Sequence, residues 1–476
     1  MATTYKTPGV YIEEIPKFPP SIAPVDTAIP AFIGYTERAL DTDDSDLTLR
    51  PKRLESLVEY ELYFGGPQPE TKLTVTIEET TDASAGKPVG VKATAALTEA
   101  DRSKHILFYA MQLFYANGGK SCYVVSVAPY KALGSDLDQA QLKAGIQPLE
   151  KVDEPTLIVI PEAQALDSVD DFADVEQSAL DQCRKLRDRF VIMDVHGLGA
   201  AETQSAMMTA VDAFRNSGIT KNLNYGAAYA PNLSTILDYA YEEAQVQVTR
   251  IKDGVASAAA ALSTLVDDNQ AMERAKAALR ALPLALPPSP AMAGIYASVD
   301  ADRGVWKAPA NVGLTAVIKP TVEYTNDAND RLNVDPAAGK SINAIRPFVG
   351  KGTLVWGART LAGNDNEWRY VSVRRFFIFV EESTKKATEQ FTFEPNDANT
   401  WVKVQAMIEN FLTTQWRAGA LQGIKPEHAF YVAVGLGKTM TPLDILEGRM
   451  IVEIGMAAVR PAEFIILRFS HKMAES

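Results

Sequence analysis

Short apolar runs alternate with amphipathic stretches through the middle of this chain, and that alternation limits it to few folds. Cys122 to Val127, Thr156 to Ile160, Phe190 to Val195 and Tyr225 to Ala230 are β-rich runs. Between them, residues 168–188 and 203–216 carry helical spacing. A strand–helix–strand rhythm of this kind predicts a mostly parallel sheet covered on both faces. Upstream, Thr98 and Asp101 form a capping-box pattern, and Leu107, Ala110, Met111 and Phe114 follow at helical spacing. Asn117-Gly118-Gly119 then stops the run, so a helix is expected over 98–117. Residues 67–100 alternate Thr, Val, Ala and charges around Gly86-Lys-Pro88 and read as a β-rich insertion. An Ala-rich stretch from 235 to 281 reads as helical, and Leu282 to Pro290, with four prolines, reads as a domain boundary.

The two ends look different from the middle. Gly9-Val-Tyr-Ile-Glu-Glu-Ile15 favours an extended strand, and Pro16, Pro19, Pro20, Pro24 and Pro30 follow it. Prolines at that density make a semi-rigid extended spacer. A strand behind such a spacer either folds back on its own sheet or pairs with another subunit. Arg449 to Gly455 and Glu463 to Phe469 are two more β-rich runs, joined through Arg460-Pro461. They are expected to form a terminal hairpin or a pair of strands. The N-terminus carries no apolar core of the kind a signal peptide needs, and no run of 18 apolar residues occurs.

Chemistry-bearing motifs are scarce. Two cysteines and four histidines argue against a disulfide scaffold or a metal centre. With 47 basic against 60 acidic residues the net charge is −13, which argues against duplex nucleic acid or an anionic membrane as the main partner. Asn117 to Ser121 and Gly435 to Thr439 end like phosphate loops, but Phe114 and Val432 stand where the motif needs glycine. Asp194-Val-His196 lies at the carboxyl end of an expected strand, where α/β enzymes place catalytic groups. An enzyme built on Asp194 and His196 is therefore an alternative reading, although no nucleophile or oxyanion motif accompanies them.

A helix expected over 397–418 is more informative. Trp401, Val404, Ile408, Phe411, Leu412 and Trp416 fall on one face. Asn399, Lys403, Asn410, Thr413, Thr414 and Arg417 fall on the other, which holds two cations and no acid. That face is either a solvated surface or a dock for an acidic partner.

Several ordered blocks resemble the contractile tail sheath proteins of phages, phage-tail-like bacteriocins and extracellular contractile injection systems. They include Thr7-Pro-Gly-Val-Tyr-Ile-Glu-Glu14, Ala31-Phe-Ile-Gly-Tyr-Thr36, and Val299-Asp300 with Arg303 to Asn311. Further blocks are Val355-Trp-Gly-Ala-Arg-Thr360, Trp368 to Arg375, Phe393 to Asp397, Gly419 to Gly423 and Arg460-Pro-Ala-Glu-Phe464. The length and short arm look like the sheath of antifeeding-prophage-like particles.

The resemblance implies a mixed α/β fold. It comprises an N-terminal arm (1–25), a βαβ-type outer domain (26–285) with the 67–100 insertion, a C-terminal sheath domain (286–448) and a C-terminal arm (449–476). It implies strand exchange between subunits through Gly9, Val10, Tyr11, Ile12 and Glu13, and through Ile451, Val452, Glu453, Phe464, Ile465, Ile466 and Leu467. The 397–418 helix then resembles a tube-attachment helix, with Lys403, Asn410, Thr414 and Arg417 as contacts.

The implied function is mechanical: a helical homo-oligomer in hexameric layers around an inner tube, with baseplate and terminator partners. No catalytic residue, cofactor, metal, nucleic acid or direct membrane contact is implied. Assembly in the bacterial cytoplasm precedes a phage tail or a released particle. A two-protein secretion-type sheath is a further alternative, although both arms fall on this one chain. Residues 397–476 hold eight basic and eight acidic residues, so the whole acidic excess lies in 1–396.

Overall fold

The computed structural model describes residues 21–81 and 88–468. The expected arm residues Gly9, Val10, Tyr11, Ile12 and Glu13 lie outside the described residues. The described chain divides into two compact units, a larger one of residues 26–379 with 460–468 and a smaller one of 21–25 with 380–459.

The larger unit is built on an eight-stranded sheet. Its order is Gly352–Val355, Ile342–Phe348, Gly226–Ala230, Phe190–Asp194, Leu157–Val159, Pro30–Thr36, Cys122–Pro129 and Lys52–Leu54. The six inner strands run parallel and the two outermost are antiparallel. Every residue of Pro30–Thr36, Phe190–Asp194 and Gly226–Ala230 is buried, the signature of a sheet covered on both faces. Helices Val169–Leu186 and Gln204–Asn216 lie where the periodicity predicts them.

The helix expected over 98–117 begins late, at Leu107. Thr98 spends its hydroxyl on the Asp101 carboxylate, and only a short turn, Glu99–Asp101, follows. The true start is capped from elsewhere. Glu162 Oε1 accepts the Ile106 and Leu107 backbone N–H groups at 3.0 and 3.3 Å. The stop falls where the glycines predict it: Gly118 has φ +96°, and the Gly119 N–H donates to the Phe114 carbonyl.

The insertion is β-rich as expected. Thr74–Thr81 pairs antiparallel with Pro88–Ala96, and on its other side parallel with Gln247–Lys252. Leu73, Val75, Ile77, Val246 and Val248 form a separate core under helix Asn269–Arg280. The long helix expected over 235–281 is therefore corrected to that one helix plus strands. Alternating Val246 and Val248 bury against the insertion, and Asp253-Gly254, both at positive φ, turn the chain back. Sheet pairing overrides alanine's helix propensity here.

Residues 282–290, where a boundary is expected at 285/286, lie inside the larger compact unit. Leu284–Leu286 pairs with Leu233–Thr235, and the following helix Ser289–Arg303 buries Met292 and Tyr296 in the same core. Proline-rich composition marks a tight entry to a helix rather than a linker. The chain leaves the larger unit at 379/380, inside helix Val371–Thr388.

The smaller unit holds helix Ala398–Arg417 and a two-stranded ladder, Phe430–Val434 against Val452–Met456, in register Val432↔Ile454. Of the two runs expected to form a terminal hairpin or a pair of strands, the first is a strand and, among the described residues, does not pair with the second. The first run pairs with Phe430–Val434, and described residues 460–468 have no regular secondary structure.

Candidate assembly interface

Helix Ala398–Arg417 starts at Asp397, whose carboxylate accepts the Asn399 and Thr400 N–H groups at 3.0 Å each. Val404, Met407, Ile408, Phe411 and Leu412 are buried, fixing the rotation of the helix. Lys403, Asn410, Thr414 and Arg417 all stand exposed on the opposite face. Val402, not singled out from sequence, is also exposed there. The face is thus polar, weakly cationic and rigidly presented.

The ladder is small. Among the described residues neither strand has a second partner, so both outer edges present unpaired backbone groups. Isolated two-strand ladders are marginal in water. One side of the second strand, through Val452 and Ile454, lines an open groove with Met450, Phe391, Phe393 and Ile408. Ile451 and Glu453 alternate to the other side, where the Tyr431 hydroxyl donates to Glu453 at 2.6 Å.

The segment after Glu463 carries the most exposed apolar run. Phe464, Ile465, Ile466 and Leu467 are between 71% and 80% exposed. Four consecutive large apolar residues in water are costly unless another surface covers them.

The alternative site at the sheet's carboxyl edge does not assemble. Asp194 is buried and accepts both the Ser289 N–H at 2.8 Å and its hydroxyl at 2.5 Å. His196 points elsewhere, donating from Nε2 to the Leu166 carbonyl at 2.7 Å. Burial pushes the Asp194 carboxyl up to about 7, but it faces a helix start rather than an open site. A crevice of about 230 Å³ lies nearby, with Arg102, Lys104, Gln164, Asp167 and Asn232 in its wall. Those groups already have partners: Gln164 and Asn232 exchange amide hydrogen bonds at 2.8 and 2.9 Å, Lys104 pairs with Asp167 at 2.8 Å, and Arg102 donates to the Ala285 carbonyl. Among the described residues no group of three metal-ligating side chains converges.

Comparison with known proteins favours the sheath reading. The family model described as "Phage tail sheath C-terminal domain" matches residues 363–472. The helical sheath of the anti-feeding prophage in its contracted state is 30% identical, covering 98% of this chain and all of that one, with a TM-score of 0.62. This chain belongs to the contractile tail sheath family.

Other sheath relatives agree. The contracted sheath complex of PVC, an extracellular contractile injection system, is 29% identical over 99% of both chains with a TM-score of 0.63. The tail sheath protein of Burkholderia phage BcepMu is 29% identical over 144 residues, which span 29% of this chain and only 30% of that protein. As a family member the chain is a structural sheath subunit, and the enzyme reading is not favoured. The sheath family's matched region includes Lys403, Asn410, Thr414, Arg417, the ladder and the exposed run.

Proposed function

We propose that many copies of this chain polymerise helically around an inner tube and contract to drive the tube through a target envelope. The carrying observation is the likeness along nearly the whole chain to a helical sheath in its contracted state. The work is mechanical, uses no cofactor and needs no active site. Energy comes from new interfaces that form between subunits as the sheath shortens, a bistable packing. Subunits repeat head to tail without closing, in hexameric layers along the tube. Inner tube, baseplate and terminator proteins are the partners, and neither nucleic acid nor a membrane is bound directly. Assembly takes place in the bacterial cytoplasm, before incorporation into a tail or a released particle.

Strand exchange joins the copies. The open ladder edges and the exposed run Phe464, Ile465, Ile466 and Leu467 support one arrangement: the run of one copy adds to the ladder of another. In that arrangement Ile451, Val452 and Glu453 receive a strand instead of being donated. Gly9 to Glu13 supply the second donated strand. The polar face with Lys403, Asn410, Thr414 and Arg417 contacts the tube through weak ion pairs and hydrogen bonds, each about 0.2–1 kcal/mol and so breakable during contraction.

The test is electron microscopy of the purified full-length chain. Helical polymers with a hollow bore are expected. Monomers that never polymerise and turn over a small molecule would sink the proposal.

A further inference from the structure

Glu463 stands one residue before the exposed apolar run, and it is held with unusual care. The Arg359 guanidinium grips it with two parallel bonds, Nε to Oε1 at 2.8 Å and Nη2 to Oε2 at 2.5 Å. The Tyr370 hydroxyl adds a third at 3.2 Å to Oε2. Arg359 is only 4% exposed, and its remaining nitrogen reaches the Asn333 carbonyl at 3.3 Å. Its own backbone is locked too: the Arg359 N–H donates to Asn343 Oδ1 at 2.7 Å, and Arg359 bridges Tyr370 across a β-bridge. Pro461, two residues before Glu463, further restricts the approach.

Stability alone does not call for this arrangement. Burying an ion pair carries a desolvation cost, and packed apolar residues of similar volume hold as well or better. What a bidentate fork supplies is direction, because the planar guanidinium accepts a carboxylate in one orientation. The same device recurs at the other terminal segment. Arg375 grips Asp300 at 2.6 and 3.0 Å, sits 4.5 Å over the Tyr296 ring, and donates to the Thr27 carbonyl at 2.7 Å. The Thr27 hydroxyl closes the loop on Asp300 at 2.6 Å.

We infer that Arg359 and Tyr370 are positioning residues: through Glu463 they aim the Phe464–Leu467 run away from its own body and toward a second copy of this chain. This rests on the strand-exchange reading above. Without the clamp the run samples many directions, so fewer subunits meet in register. A pull on the run ends at the central sheet, through Arg359 and Asn343, instead of peeling the chain end away.

The test compares the full-length chain with Glu463→Gln and Arg359→Met. Arg359→Met removes a buried group and can unfold the larger unit, so Glu463→Gln, which keeps shape and loses charge, decides. On isolated subunits held well below their melting midpoint and shown to be folded by circular dichroism, chymotryptic cleavage after Phe464 or Leu467 should accelerate about tenfold in Glu463→Gln, although the midpoint itself falls because Arg359 loses its buried counter-charge. Electron microscopy of the same variant should then show a smaller fraction of long straight polymers. Equal cleavage of wild type and Glu463→Gln overturns the clamp, and normal polymers from a fast-cleaved variant overturn its positioning role. If the wild type itself forms no polymer, the sheath reading fails while the cleavage comparison still judges the clamp.

Discussion

Asp194 caps Ser289: one carboxylate oxygen takes the backbone N–H at the start of helix Ser289–Arg303, and the other takes the serine hydroxyl. The pair ties the carboxyl end of a central strand to a buried helix. It also accounts for an Asp-Val-His sequence without catalysis. Replacing Asp194 with Ala should cost about 1–3 kcal/mol, since a buried donor loses its acceptor. Denaturant melts measure this. His196→Ala should leave polymer assembly unchanged; loss of an enzymatic turnover in that variant would revive the catalytic reading.

Buried carboxyls give the larger unit a pH dependence. Burial raises Glu162 to about 8, Asp194 to about 7 and Glu70 to about 7. The corresponding unfolded values lie near 4. Between the two the folded state binds more protons, so stability is fullest below the unfolded values and is lost as pH rises through about 7 to 8. Denaturant midpoints should fall from pH 5.5 to pH 9. A rise over that window contradicts the assignment.

The helix face carries the tube proposal. Lys403→Glu with Arg417→Glu should leave the melting midpoint of the subunit in place, because both side chains are exposed. Co-sedimentation with assembled tubes should drop several-fold, with a steeper loss at high salt for wild type than for the variant. Unchanged co-sedimentation removes this face from the interface.

The exposed run carries the strand-exchange proposal. Ile465→Lys with Ile466→Asp should fold normally, since neither side chain is buried, and should abolish long polymers. Size-exclusion chromatography and microscopy separate the two effects.

Legibility in the sequence followed the range of the interactions. The parallel sheet was readable because strands buried on both faces must be apolar throughout, as Ala31 to Tyr35 and Val191 to Met193 are. Helix Ala398–Arg417 was readable because its cap and its apolar stripe are local. The Gln247–Lys252 strand was not, because its partner is the distant Thr74–Thr81 insertion and its surroundings are alanine-rich. Glu162, capping a helix from another segment, leaves no local pattern at all. Arg359 and Glu463 both lay in blocks that resemble the sheath family, but their separation hid the contact. The partner of Val452–Met456 was hidden for a related reason: β-rich composition predicts a strand, not what it pairs with.

A contractile sheath has two lengths. Cryo-electron microscopy of particles purified with their tubes, before and after triggering, tests it most directly. Two helical lattices of the same chain are expected, a long narrow one bound to the tube and a short wide one released from it, with Phe464–Leu467 paired to a neighbour's Phe430–Val434 and Val452–Met456 ladder in both. A single unchanging lattice, or a run that packs on its own subunit in both states, would contradict it.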